Sequence, residues 1–404
     1  MMIPAGAWRR TAVGAGLLGP NGEVSPTIFA EMTALAVAED AINLGQGFPD
    51  EDGPREVLDE ARRAIADGEN QYPPGRGIAP LREAIAAHRA RFYGLSADPD
   101  TEIIVTAGAT EALAATLLAL CDGPDDEVVV FDPCYDAYAA AVALAGARLR
   151  RVPMRWPDFA PDLDALARAV TDRTRIILLT DPHNPTGTVL TEDARREIVR
   201  LAERHNAVIV TDEVYEHLSF GARFRPIAQI PGAAERTVSI SSAGKTFRTT
   251  GWKVGWLIAP APLATAILTV KQFLTYAGGT PFQAAIARGL ALPDRYFAEL
   301  AGSMAAAQTA LGDALRDAGF EVSAPVATYF TVGDAAGVGG ADAAAFCREL
   351  PASIGVAAVP LAAFVADEHR AAYASLVRFA ACKRPEVIAE AARRLQLLGA
   401  ATTR

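Results

Sequence analysis

The stretch RIILLTDPHNPTGTVLTEDARREIVRLAERHNAVIVTDEVYEHL, residues 175–218, decides the fold. It opens on an apolar run of strand length, residues 175–180, and closes on a second, residues 207–211. Between them, Glu192–Arg204 reads as a helix: Thr191 stands at its N-cap, acids fill its first turn, and Ile198, Val199, Leu201 and Ala202 gather on its inner side. Two buried strands joined through such a helix belong to a mostly parallel sheet covered by helices. In open sheets of this kind ligands bind beyond the carboxyl ends of the strands. The polar clusters at 181–187 and 212–215 are therefore where function is expected.

Outward from this unit the pattern continues, with strands expected at 102–106, 127–131, 237–241 and 254–258 and helices between them. After about residue 293 it changes to long Ala-rich helical stretches, isolated strands at 328–332 and 376–380, and a helix at 385–398, which reads as a second domain. Residues 334–345, rich in Gly and Ala, read as a loop. A chain of 404 residues is long enough for two domains, and 51% hydrophobic with 21% charged residues describes a globular protein.

The net charge of -10 repels phosphate backbones and argues against a nucleic-acid partner. Cys121, Cys134, Cys347 and Cys382 lie far apart, without metal-ligand spacing or a CxxC pair, and read as buried reduced thiols; no metal site is expected. Apolar runs stay well short of the roughly 20 residues that span a bilayer, so no membrane helix and a cytoplasmic location are expected. Near the start, Trp8-Arg9-Arg10 and a short apolar stretch are similar to a twin-arginine export signal but lack a small-residue cleavage site; a frayed start is expected instead. Gly14, Gly16 and Gly19 match GxGxxG spacing, yet no strand precedes them and Pro20-Asn21-Gly22 follows, so the match reads as chance.

The chain has only four lysines, Lys245, Lys253, Lys271 and Lys383. Lys245 sits among small residues in Ser241-Ser242-Ala243-Gly244-Lys245-Thr246-Phe247, directly after a strand. A lysine beside other cations loses proton affinity, and its neutral amine can form a Schiff base with an aldehyde. Alone it reads as a solvated loop lysine. Asp212, pushed to the carboxyl edge of the sheet, changes that reading: it either caps a helix or pairs with the protonated ring nitrogen that a pyridoxal cofactor needs as an electron sink. In Asp181-Pro182-His183-Asn184-Pro185-Thr186-Gly187 the prolines fix a turn that aims the Asn184 amide. Gly108-Ala109-Thr110 closes a strand and opens a helix, whose free N–H groups suit a phosphate.

These residues resemble the class I and II pyridoxal-phosphate aminotransferases of fold type I over about residues 25–398. NLGQGFPD (43–50), NQY (70–72), NPTG (184–187), DEVY (212–215), and SAGKTF (242–247) through TGWKVGW (250–256) occur in that family's order. The likeness is greatest to actinobacterial N-succinyldiaminopimelate aminotransferases and to kynurenine, glutamine and methionine aminotransferases. QGFPDEDGP (46–54), NQYPPG (70–75), TDEVYEHL (211–218) and AACKR (380–384) carry the first of these.

The resemblance implies a large α/β domain, residues 46–292, built on a mostly parallel seven-stranded sheet with helices on both faces. A smaller α+β domain, residues 293–404, would be joined by the N-terminal segment 1–45. It implies pyridoxal 5'-phosphate as cofactor, Lys245 as the Schiff-base lysine and proton shuttle, Asp212 as pyridinium partner, and Asn184 with Tyr215 as donors to the phenolic oxygen. Tyr135 would stack on the ring, and Gly108, Ala109, Thr110, Ser242 and Lys253 would hold the phosphate. Tyr72 would reach in from a partner subunit, which makes the protein a homodimer with shared sites. Arg378 would grip the substrate carboxylate, assisted by Gly47 and Asn184, with Phe29, Tyr276 and Phe364 lining the side-chain pocket.

Tyr276-Ala277 stands where kynurenine-type enzymes carry an aromatic followed by histidine, and Thr110 replaces an aromatic, so aromatic substrates lose support. The expected activity is ping-pong transfer of an amino group between an L-amino acid and a 2-oxo acid. An N-succinylated diaminopimelate donor would need a further cation, with Arg76, Arg225 and Arg248 as candidates. A kynurenine-, glutamine- or methionine-type aminotransferase, or a cysteine-conjugate β-lyase, on the same scaffold is the alternative.

Overall fold

The computed structural model describes residues 6–19, 21–221 and 223–401, without the side chains of 399–401. The main sheet has eight strands: β1 (Ile103–Thr106), β2 (Glu127–Asp132), β3 (Arg148–Arg155), β4 (Ala160–Pro161), β5 (Thr174–Thr180), β6 (Val208–Asp212), β7 (Thr237–Ser242) and β8 (Gly255–Ile258). Their spatial order is β1-β8-β7-β6-β5-β2-β3-β4. Strands β3, β2, β5, β6 and β7 are parallel, whereas β8 runs antiparallel to both β1 and β7. Seven strands carry the sheet, as expected, and the two-residue β4 adds an antiparallel edge.

The sheet is buried because successive residues alternate between two apolar layers. Ile176 and Leu178 of β5 pack with Leu113 and Val142 from the helices Gly108–Leu120 and Asp136–Ala145. Ile177 and Leu179 face the other way, onto Ile198 and Leu201 of the Glu192–Arg204 helix. That helix starts as expected, Thr191 accepting from the Ala194 N–H.

After the long helix Asp294–Asp317 comes a four-stranded antiparallel sheet: β9 (Glu321–Val322), β10 (Phe330–Asp334), β11 (Val359–Pro360) and β12 (Leu376–Ala380), ordered β9-β10-β12-β11. Strand β10 begins at residue 330 rather than 328, because Thr328 takes a left-handed turn (φ 62°). Ile42–Asn43 pairs in parallel with Val356–Ala357, which attaches the early chain to this part of the molecule. The pleat that buries Val377 and Phe379 turns Arg378 to the opposite face of β12.

The expected frayed start is corrected in part. Ala7–Gly14 is a helix packed on Asp136–Ala145, while residues 1–5 lie outside the described residues. Gly14 serves that packing, since a Cβ there would come within 2.5 Å of the Ala143 Cβ. Among the described residues no helix is long and apolar enough to cross a membrane.

Candidate active site

The carboxyl ends of β5, β6 and β7, the start of the Gly108–Leu120 helix and the inner face of β12 enclose a cavity of about 360 Å³. Lys245 lies in a one-turn helix, Ala243–Thr246, that Ser242 caps by accepting from the Gly244 N–H at 3.3 Å. Its Nζ donates to the Gly47 carbonyl at 3.2 Å and lies 5.8 and 5.9 Å from the ring centres of Tyr215 and Tyr329. Burial lowers the pKa of this amine, which favours the neutral, nucleophilic form.

Asp212 ends β6. Its Oδ2 accepts from the Tyr138 hydroxyl at 2.9 Å, and Tyr138 also bonds Thr180. Its Oδ1 accepts from the Val214 N–H at 3.3 Å. No helix starts here, so the helix-cap alternative falls away. Burial pushes the carboxyl up to about 6, and a cation placed beside it would return it to the carboxylate form.

Arg378 is 1% exposed and takes part in no ion pair among the described residues. Its Nη1 donates to Asn184 Oδ1 at 3.0 Å and its Nη2 to the Gly45 carbonyl at 2.8 Å; its buried Nε has no partner. The rings of Phe330, Phe364 and Phe29 surround the guanidinium at 4.1, 4.6 and 5.3 Å. Burial lowers its pKa to about 10, which leaves it a cation at neutral pH. A buried, uncompensated guanidinium with a free donor is built for an anion, and a carboxylate matches its fork. The turn that carries Asn184 is closed by backbone bonds from His183 N–H to Thr188 and from Gly187 N–H to His183.

Gly108 opens its helix at φ 76°, and a Cβ there would lie 3.2 Å from Lys253 Nζ. At Gly255 a Cβ would meet the Gly108 carbonyl carbon at 2.5 Å and the Ala109 nitrogen at 2.7 Å. The helix start is thus kept free of side-chain bulk beside an ammonium group. Gly108, Ala109, Thr110, Ser242 and Lys253 all line the cavity there, which makes a cradle for a phosphate. Tyr135 lines the same cavity, its hydroxyl pushed up to about 12 by burial.

Phosphate cradle, buried acid and a lysine whose proton affinity burial lowers fit pyridoxal phosphate at three points. The acid satisfies a protonated ring nitrogen and the lysine meets an aldehyde.

Not every expected residue converges. Tyr72 and Tyr276 are 86% and 46% exposed and touch edge to face with ring centres 5.9 Å apart, but neither lines the cavity of its own chain. Phe29 does line it, and Phe364 packs behind Phe29 at 5.7 Å. Of the three candidate cations, Arg76 donates to the carbonyls of Thr101 and Ile103, Arg225 lies by Gln229 and Glu192, and Arg248 pairs with Glu51; none lines the cavity. Each is held elsewhere by a nearer partner. Arg151 and Arg370 line a second cavity of about 390 Å³ together with Phe364, and they too are paired, with Asp132 and Asp367. Tyr138, Tyr329 and Phe330 were not expected from sequence. Tyr138 alone had a signal, one helical turn after Tyr135.

Such a sheet edge defines a pyridoxal-phosphate enzyme of fold type I. The family model "Aminotransferase class I and II" matches residues 39–395. A probable N-succinyldiaminopimelate aminotransferase of Mycobacterium tuberculosis is 49% identical over 382 residues, 92% of this chain and 96% of the relative. A methionine aminotransferase of Escherichia coli is 40% identical over 379 residues, 93% of this chain and 97% of the relative. The solved structure of N-succinyldiaminopimelate aminotransferase from M. tuberculosis superposes with a TM-score of 0.92 at 47% identity, over 98% of this chain and 100% of that one. The chain belongs to the class I and II aminotransferases, and its cofactor is pyridoxal 5'-phosphate.

Proposed function

We propose that the residues gathered at the sheet edge divide the work of transamination as follows. Lys245 carries the cofactor, Asp212 holds its ring nitrogen, and Asn184 and Tyr215 donate to its phenolic oxygen. Tyr135 covers the ring, and Gly108, Ala109, Thr110, Ser242 and Lys253 hold the phosphate. When bound, the cofactor supplies an aldehyde that exchanges amino groups and a ring that spreads the charge left as a Cα–H bond breaks.

Arg378 grips the α-carboxylate of the amino donor, with Gly47 and Asn184 beside it, and so presents the Cα–H bond to Lys245. The Lys245 amine, freed when the donor's own amine takes its place on the aldehyde, would move that proton from Cα to the cofactor, and in the second half-reaction would move one from the cofactor to Cα of the acceptor. Release of the first product before the acceptor binds makes the kinetics ping-pong. The observation that carries this reading is the Lys245 amine, lowered in pKa, in one cavity with an unpaired Arg378 guanidinium.

The same reading divides the chain into segments 1–45, 46–292 and 293–404 and makes it a cytoplasmic homodimer with shared sites. Tyr72, Phe273, Leu274 and Tyr276 form an exposed apolar patch that supports the dimer, because large apolar side chains gathered outside a core mark an interface. Tyr72 and Tyr276 would then complete the partner's site. The donor proposed is N-succinyl-diaminopimelate, on the strength of the M. tuberculosis relative, and the acceptor proposed is 2-oxoglutarate, which the kynurenine--oxoglutarate transaminase relative of Dictyostelium discoideum carries in its name.

The test is a spectral screen of amino donors against the reconstituted enzyme and its Lys245→Ala variant. Wild type should convert with the succinylated donor, and the variant should lose turnover by about 10³-fold or more. Substantial transaminase activity in the variant would overturn the lysine's role. Preference for methionine or kynurenine, or release of pyruvate and ammonia from a cysteine conjugate without an oxo acid, would overturn the donor.

A further inference from the structure

Lys271 has no role in the cavity, yet it is 1% exposed, at the end of the Ala261–Lys271 helix. Its Nζ donates to the Gly75 carbonyl at 2.9 Å and to the Tyr276 carbonyl. These two acceptors belong to separate loops, 71–77 and 275–279, whose tyrosines, Tyr72 and Tyr276, touch each other. A bond from Thr280 Oγ1 to the Gln71 carbonyl, 2.6 Å, joins the first loop to the start of the Thr280–Leu290 helix, directly after the second.

A third element enters through Glu111, which is 8% exposed and lies within electrostatic reach of Lys271. Its Oε2 accepts from the Ala107 N–H at 2.6 Å, directly before the phosphate cradle, and its Oε1 accepts from Thr275 Oγ1. Burying an ammonium costs more than burying an apolar side chain of its size, so packing alone does not account for a lysine here. What the ammonium adds is direction: it fixes two backbone carbonyls from distant loops relative to one another.

We propose that Lys271 is a positioning residue that locks Tyr72 and Tyr276 in the posture in which they enter the partner subunit's active site. Through Glu111 it ties that posture to the start of the Gly108–Leu120 helix in its own subunit. This rests on the shared-site reading above, in which each subunit lends its two tyrosines to the other. The lysine touches neither substrate nor cofactor. It acts on a neighbour's chemistry through loops it holds from beneath.

The experiment uses hybrid dimers of differently tagged subunits. Lys271→Met homodimers should lose roughly tenfold or more in kcat/KM, since misplacing a contact by an ångström is enough for that. Paired with a Lys245→Ala subunit, the Lys271→Met subunit keeps its own lysine and receives intact loops from its partner. One site of two is then whole, and about half of wild-type activity should return.

A Tyr72→Ala subunit paired with Lys245→Ala is the control. If that hybrid does not recover, the shared-site reading fails. If it recovers and the Lys271→Met hybrid does not, Lys271 acts within its own subunit and the proposal is overturned. Wild-type kcat/KM in the Lys271→Met homodimer overturns it as well.

Amide hydrogen exchange of the holoenzyme gives a readout besides activity. Exchange should rise in both 71–77 and 275–279 in the variant, and unchanged exchange counts against the lock. Should Lys271→Met fail to fold, the exposed-site variant Thr275→Val removes only the bond to Glu111 and goes through the same hybrids and exchange measurement. It should show the same pattern at smaller amplitude, and no change in it overturns the proposal.

Discussion

Arg378 shows at the scale of one side chain why residue type matters here. Its guanidinium uses Nη1 and Nη2 on Asn184 and Gly45 and keeps Nε without a partner. Lysine keeps the charge, but its three donors radiate from one nitrogen and cannot form the flat, parallel pair of bonds that a guanidinium offers a carboxylate. Arg378→Lys should therefore raise KM for amino and oxo acids alike by roughly ten- to a hundredfold, the worth of about 1.5–3 kcal/mol for a charge-assisted bond. Steady-state kinetics decide it, and an unchanged KM with a lowered kcat would remove Arg378 from carboxylate binding. Lys245, Asp212 and Asn184 could be picked out in the sequence because each sits in a motif whose neighbours constrain it, whereas Arg378 was reached only through its position in the resemblance. Phe330 and Tyr329 could not, because they reach the site only through how β10 is laid against the carboxyl edge of another sheet.

Single elements show where reading by pattern works and where it stops. Each of the six strands read from sequence in the main sheet lies within a residue of its observed ends, because apolar runs buried on both faces leave little freedom. Strand β3, RLRRVPMR, was missed: its arginines alternate outward at the sheet border, where Arg150 pairs with Glu127, and its apolar signal is thin.

Strand β6 carries a further consequence at its carboxyl end. Next to Asp212, Glu213 is 3% exposed, with Arg89 at 3.9 Å and Ser239 donating at 3.3 Å, and burial pushes its carboxyl from 4.5 up to about 8. Between those values the folded state binds more protons than the unfolded one, so this group's contribution to stability is whole below pH 4.5 and is lost as pH rises through 8. Relative to Glu213→Gln, wild type should lose stability on the order of a few kcal/mol across that window. Urea midpoints of the two proteins from pH 5 to 8 measure it, and a difference that stays flat with pH refutes the assignment.

At the scale of the whole molecule, Tyr72 and Tyr276 do not line the cavity of their own chain, and the dimer proposed above would account for them. Tyr72 and Tyr276 stand exposed beside Phe273, itself 84% exposed, and a second copy would bring them to the neighbouring site. Phe273→Glu places a charge in that patch without touching the chain's own cavity. It should yield folded monomers with little activity; sedimentation and far-ultraviolet dichroism check both halves, and a fully active monomer would show that each site is complete alone. Sequence by itself determined the layered α/β sheet, the family and the residues proposed to react, because hydrophobic periodicity and short motifs are local properties of the chain. Only the tertiary structure decided that Arg378 lacks a charged partner, that Tyr138 braces Asp212, that Arg76, Arg225 and Arg248 are occupied elsewhere, and that Lys271 joins two loops. The meetings of Tyr138 with Asp212, of Lys271 with Gly75 and of Arg378 with Asn184 join residues some 70 to 200 positions apart, and only packing sets such distances.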